Sequence, residues 1–199
     1  MATYTESIEK LIDRLIKLPG IGRRSAERII SYILDVSADE VEALVNAITR
    51  VKENVRSCKI CHNLSETEVC SMCSDIRRNH RLLCVVEGPN DVTSLEKTGT
   101  YQGMYHVLMG AIAPLEGKGP GDLKIDSLLN RIKQEQIHEV ILATDSDTEG
   151  ATTALYLTKV LKPLGVQISR IGIGLPAGSN LEYADSATLS MALESRRSL

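Results

Sequence analysis

The chain has 199 residues, 43% of them hydrophobic, which suits one or two small domains and excludes a disordered chain. Trp and Phe are absent and there are six Tyr, so the core must be aliphatic. The net charge of −3 excludes a uniformly basic protein, yet it hides an asymmetry: residues 1–81 sum to +1 and residues 82–199 to −4.

The periodicity predicts a first helix over residues 3–17. Thr3 and Glu6 have capping-box spacing, and Ile8, Leu11, Ile12, Leu15 and Ile16 form one apolar stripe. The stretch "LPGIG" at 18–22 breaks it. A second helix follows from about Arg24 to Leu34, with Ala26, Ile29, Ile30 and Ile33 inward. A third starts at "SADE", capped by Ser37 with Glu40 reaching back, and continues through Val41, Leu44, Val45, Ile48 and Val51.

The glycines of the first turn carry chemistry. Gly20 and Gly22 permit a sharp bend, and the amides of Gly22 to Arg24 open the second helix pointing outward. Arg23, Arg24 and Arg28 surround that anion site, and from Arg14 to Arg28 the only acid is Glu27. A plain helix–turn–helix connector would also turn on glycine. The order apolar–Pro–Gly–apolar–Gly with flanking arginines favours contact with a sugar–phosphate backbone, without reading of base sequence.

Residues 58–81 have little periodicity and four of the five cysteines. Cys58-x-x-Cys61 and Cys70-x-x-Cys73, eight residues apart, can form two knuckles that offer four soft ligands in a tetrahedron, the preference of zinc. A pair of disulfides is the alternative, disfavoured in a chain without a secretion signal. Cys84 lies in an apolar run and reads as core.

From Leu82 onward the texture changes. Residues 82–86, 105–109, 139–144 and 166–171 read as short buried strands. Helical patterns lie between or after them, one on Ile125, Leu128, Leu129 and Ile132, another on Ala151, Ala154, Leu155 and Leu161. This alternation predicts an α/β fold with a mostly parallel sheet flanked by helices. Glu87 closes the first strand, and Asp145 and Asp147 close another, so the three acids should meet at the carboxyl edge. They have the chemistry to hold magnesium, but Asp145 or Asp147 could equally cap the helix that follows. No apolar stretch is long enough to span a bilayer and the first residues do not form a secretory signal, so a cytoplasmic protein without a membrane partner is expected.

The pattern Glu-Gly…Asp-x-Asp-x-Glu-Gly resembles the Toprim domain of topoisomerases, primases and some nucleases. With the glycine hairpin and the four cysteines in the same order, the whole chain resembles the RecR family of bacterial recombination mediators. The segments "LPGIGRRSAERI", "CKICHNLSETEVCSMC", "LCVVEGPNDV" and "EVILATDSDTEGATTALYL" carry the likeness. It implies a helix-hairpin-helix region (1–55), a zinc finger (56–79), a Toprim domain (80–175) and a C-terminal tail (176–199). It also implies a non-enzymatic, ring-like homotetramer that clamps single- and double-stranded DNA. RecO and RecF would be its partners in loading RecA for DNA repair. A magnesium-dependent Toprim enzyme on nucleic acid, using Glu87, Asp145 and Asp147, is the alternative. Ala143-Thr144-Asp145-Ser146 stands where the family commonly has Ala-Thr-Asn-Pro, and Ser179-Asn180 where Gly-Asp is usual.

Overall fold

The structure, a computed structural model, describes residues 4–172, 174–175 and 178–196. The chain divides into two compact units, residues 1–55 and 56–199.

The first unit is three helices: α1 (Glu6–Leu15), α2 (Arg23–Asp35) and α3 (Ala38–Asn54). The α1 stripe meets the inward face of α2, where Ile12, Ala26 and Ile30 are buried and Ile8, Leu11, Leu15 and Ile21 pack around them. The helix begins at Glu6 behind Thr5, whose side chain makes no capping bond; the Thr3 cap expected from the sequence lies outside the described residues. The cap at Ser37 is present, its hydroxyl accepting from the Glu40 amide at 3.3 Å. Helix α3 buries none of its residues: Leu44, Val45, Ile48 and Val51 all lie exposed.

The second unit opens with a two-residue antiparallel ladder, β1 (Arg56–Ser57) and β2 (Leu64–Ser65), and the one-turn helix α4 (Ser71–Ser74). Then come β3 (Asn79–Val86), α5 (Pro89–Glu96), β4 (Gly103–Val107), α6 (Ile125–Gln134), β5 (Glu139–Ala143), α7 (Thr148–Leu161) and β6 (Gln167–Arg170). A last helix, α8 (Ser186–Glu194), is capped by Asp185. The four long strands pair in the order β4-β3-β5-β6, every pair parallel. Side chains alternate across the sheet. Leu83, Val85, Met104, Val140 and Leu142 face α6 and α7 through Leu128, Ile132, Leu157 and Leu161. Cys84, Val86, Tyr105 and Val107 face Val92 of α5. Cys84 is thus core, and burial pushes its thiol up to about 12. The strand read as 105–109 runs from Gly103 to Val107, because Met109 takes φ 66° and turns the chain away from the sheet.

Candidate nucleic-acid interface and metal centre

Gly20 turns the chain between α1 and α2 at φ +78°, a left-handed value that a side chain resists. Gly22 is the N-cap of α2 and has no side chain to satisfy the first-turn amides, which no side-chain cap engages. A Cβ at either glycine would meet nothing within 4 Å, so the bend is open on its outer side. Arg24 and Arg28 are exposed, with no ion pair or hydrogen bond from their side chains among the described residues. Arg23 is different. Its Nη2 donates to both carboxylate oxygens of Glu9, at 3.2 and 3.1 Å, and its Nε lies 3.3 Å from Glu27 Oε1. Glu9 raises the Arg23 pKa further above its ordinary value. Glu27 was readable as a partner at i+4; Glu9, fourteen residues away, carried no such signal.

The four cysteines converge. One ligand atom from each of Cys58, Cys61, Cys70 and Cys73 lies within 4.8 Å of the others. The Cys61 and Cys70 sulfurs are 3.6 Å apart. A tetrahedron of thiolates at the usual zinc–sulfur length has an edge of about 3.8 Å, so the donor set fits zinc. Backbone geometry builds it: the Cys58 amide donates to the Asn63 carbonyl at 2.7 Å, and His62 turns the knuckle at φ 62°. The Cys70 amide donates to Cys58 Sγ at 3.3 Å, which softens thiolate charge. Hydrogen bonds from Cys61 and Cys73 hold the Cys70 thiol far below its ordinary pKa, and the same bonding raises Cys61 and Cys73. A divalent cation would replace the protons that these crowded sulfurs otherwise share.

The knuckle also bonds the edge of the sheet. Strand β4 is an edge, and its Val107 amide donates to the Cys61 carbonyl at 2.8 Å. Arg131 donates from Nη1 to the Tyr105 carbonyl at 2.7 Å. His62 Nε2 lies 2.7 Å from Ser127 Oγ, and its ring meets His106 edge-on at 5.2 Å. One amide of this edge is thus taken by the metal-binding segment and one carbonyl by Arg131 of α6, which blunts the edge against another strand.

The acids Glu87, Asp145 and Asp147 sit at the carboxyl edge as expected, but the structure does not gather them into a metal-ligand set. Among the described residues, only the cysteines bring three or more ligand atoms within 4.8 Å. Glu87 Oε1 accepts from the Asp145 amide at 3.0 Å, and Asp147 caps α7 by accepting from the Gly150 amide at 2.7 Å. Burial pushes the Glu87 carboxyl above its ordinary range, and the bond from the Asp145 amide opposes that shift. Any side chain at Gly150 would run into the Asp145 carbonyl, so the glycine of "TEG" permits the tight return of the loop onto α7. As placed, Glu87 and Asp147 each spend one carboxylate oxygen on a backbone amide and keep the other.

A bare glycine hairpin, a four-sulfur centre and a parallel sheet with acids at its carboxyl edge define a modular zinc protein of the Toprim class. Residues 81–172 match the Toprim domain family. Residues 8–52 match the helix-hairpin-helix family of RecR, residues 55–75 its four-cysteine zinc finger domain, and residues 174–197 its C-terminal family. The recombination protein RecR of Carboxydothermus hydrogenoformans is 47% identical over 196 residues, 98% of each chain. That of Thermobifida fusca is equally similar, 47% over 196 residues and 98% of each chain. The chain belongs to the RecR family, and its four cysteines are a zinc site.

Proposed function

We propose that this protein is a non-enzymatic DNA-binding factor of recombinational repair that grips the sugar–phosphate backbone through its glycine hairpin. The observation that carries the reading is the uncapped start of α2 at Gly22, flanked by the unengaged side chains of Arg24 and Arg28. Amides at a helix start and two free guanidinium groups bind phosphate without discriminating bases. Two cations per subunit bind weakly. Several subunits on one DNA molecule multiply that affinity through effective concentration. The exposed apolar face of α3 gives the chain a reason to self-associate, and a ring-like homotetramer clamping single or double strands suits the resemblance to RecR. Kinship at 47% identity supports a place beside RecO and RecF in helping to load RecA.

A magnesium-dependent Toprim enzyme is the weaker reading, because Asp147 and Glu87 each already hold a backbone amide. Fluorescence anisotropy with labelled single- and double-stranded oligonucleotides, between about 50 and 200 mM salt, tests the proposal. Wild-type protein should bind both forms without sequence preference and weaken steeply with salt. Arg24→Ala with Arg28→Ala should abolish most of that binding. Retained, equally salt-dependent binding in the double variant would place the DNA elsewhere.

A further inference from the structure

Of the three arginines around the hairpin, Arg23 stands nearest the turn and is the obvious phosphate ligand by sequence. The structure gives its guanidinium to two carboxylates on two helices. Nη2 spans both oxygens of Glu9 on α1, and Nε reaches Glu27 one turn along α2. A cation at the first position of a helix opposes the macrodipole, and a second follows at once in Arg24. The flanking acids offset this charge where the amides are bare.

We infer that Arg23 is a strut and not a phosphate ligand: by bridging Glu9 and Glu27 it fixes the angle at which α1 delivers the hairpin, and so aims the α2 amides, Arg24 and Arg28. The inference rests on the hairpin being the DNA-binding face and assigns different work to neighbouring arginines. Its second consequence concerns charge. Glu9, Arg23 and Glu27 together carry a net −1 beside the anion site, so the strut moderates affinity for the polyanion while it holds the geometry.

The slope of log affinity against log salt counts the cations that touch phosphate, at about one per contact. It therefore separates a ligand from a strut in the intact full-length protein with a labelled duplex. Arg24→Gln and Arg28→Gln should each make the slope shallower by about one per engaged hairpin. Arg23→Gln should weaken binding at every salt concentration, as the aim loosens, yet keep the wild-type slope. The double variant Glu9→Gln with Glu27→Gln removes no cation and releases Arg23, so its slope should steepen by about one per hairpin. This second variant decides the matter even where Arg23→Gln folds poorly. An Arg23→Gln slope as shallow as that of Arg24→Gln, or a wild-type slope in the released double variant, would overturn the strut. Wild-type slopes in Arg24→Gln and Arg28→Gln would instead sink the hairpin reading on which it rests.

Discussion

The two units solve the problem of burial in opposite ways. In residues 56–199, a four-stranded sheet covered on both faces buries a cluster that runs from Leu83 to Leu161, with a second around Val86 and Tyr105. Among the described residues of the first unit, only Ile12, Ala26 and Ile30 are buried together. Meanwhile Leu44, Val45, Ile48 and Val51 remain 49–63% exposed along one helix. A chain of that length gains little from its own core, and small domains usually need a metal, a disulfide or a partner. Here the metal lies in the second unit. In the assembly proposed above, the first unit draws its stability from its neighbours, and the apolar stripe of α3 serves contacts between molecules.

Zinc removal should have the largest effect, because the energy of a structural zinc site is folding energy, on the order of 10–16 kcal/mol in small peptides. A strong chelator, or Cys70→Ser, is expected to empty the site and unravel residues 58–73. The loss should then spread to the edge of the sheet, since the Val107 amide is held by the Cys61 carbonyl. Hydrogen exchange checks this: Val107 should lose protection before the interior of β5 does. Unchanged protection at Val107 after complete metal loss would make knuckle and sheet independent.

Next in size is a pair of substitutions, one in each unit. Leu157 is fully buried between α7 and the sheet, and Leu157→Ala should cost about 2–5 kcal/mol in urea unfolding. Ile48→Asp places a charge on an exposed site, so unfolding of the second unit should be unchanged. Its effect should appear in sedimentation, as smaller species at a given concentration. Full assembly in Ile48→Asp would leave the exposed stripe unexplained and remove the contrast between the units.

Much of this was legible because it is local. Two Cys-x-x-Cys pairs, a Pro-Gly-x-Gly turn and a capping Ser37 each act within a few residues, and the structure has all three. The parallel sheet followed from strands alternating with helices. The rest depends on contacts between distant residues. Periodicity showed that α3 has an apolar stripe but not that the chain leaves it uncovered. Nothing near Arg23 announced Glu9, and nothing in Cys61 announced that its carbonyl would bond β4. Helix α5 was missed because its eight residues bury only Val92, too little to show a period. The acids at the carboxyl edge were found, but metal binding and capping ask for the same residue types. The bond from the Gly150 amide shows that Asp147 caps α7, a role that by itself does not decide between the two uses.

The last effect, gradual because it is spread over several pH units, concerns pH and again divides the units. His106 is fully buried, and burial holds its pKa down to about 3. Its Nε2 donates to the Lys124 carbonyl at 2.9 Å, and Nδ1 has no partner among the described residues, which suits a neutral ring. In the unfolded chain the same ring takes up a proton near pH 6.5. The stability it contributes is therefore complete above about pH 6.5 and is lost progressively as pH falls toward 3, at up to about 1.4 kcal/mol per pH unit. Zinc release by protonated cysteines would act in the same direction, but equally in wild type and in a variant. Comparing zinc-loaded wild type with His106→Gln, whose amide can still donate to the Lys124 carbonyl, isolates the ring. The variant should unfold in urea with a flatter pH dependence between pH 6 and 4, by about one proton. The first unit holds no histidine at all, so its own response over that range should be the same in both proteins. Identical pH slopes for the second unit would show that the ring takes up its proton in the folded state as in the unfolded one, and that the acid sensitivity arises elsewhere.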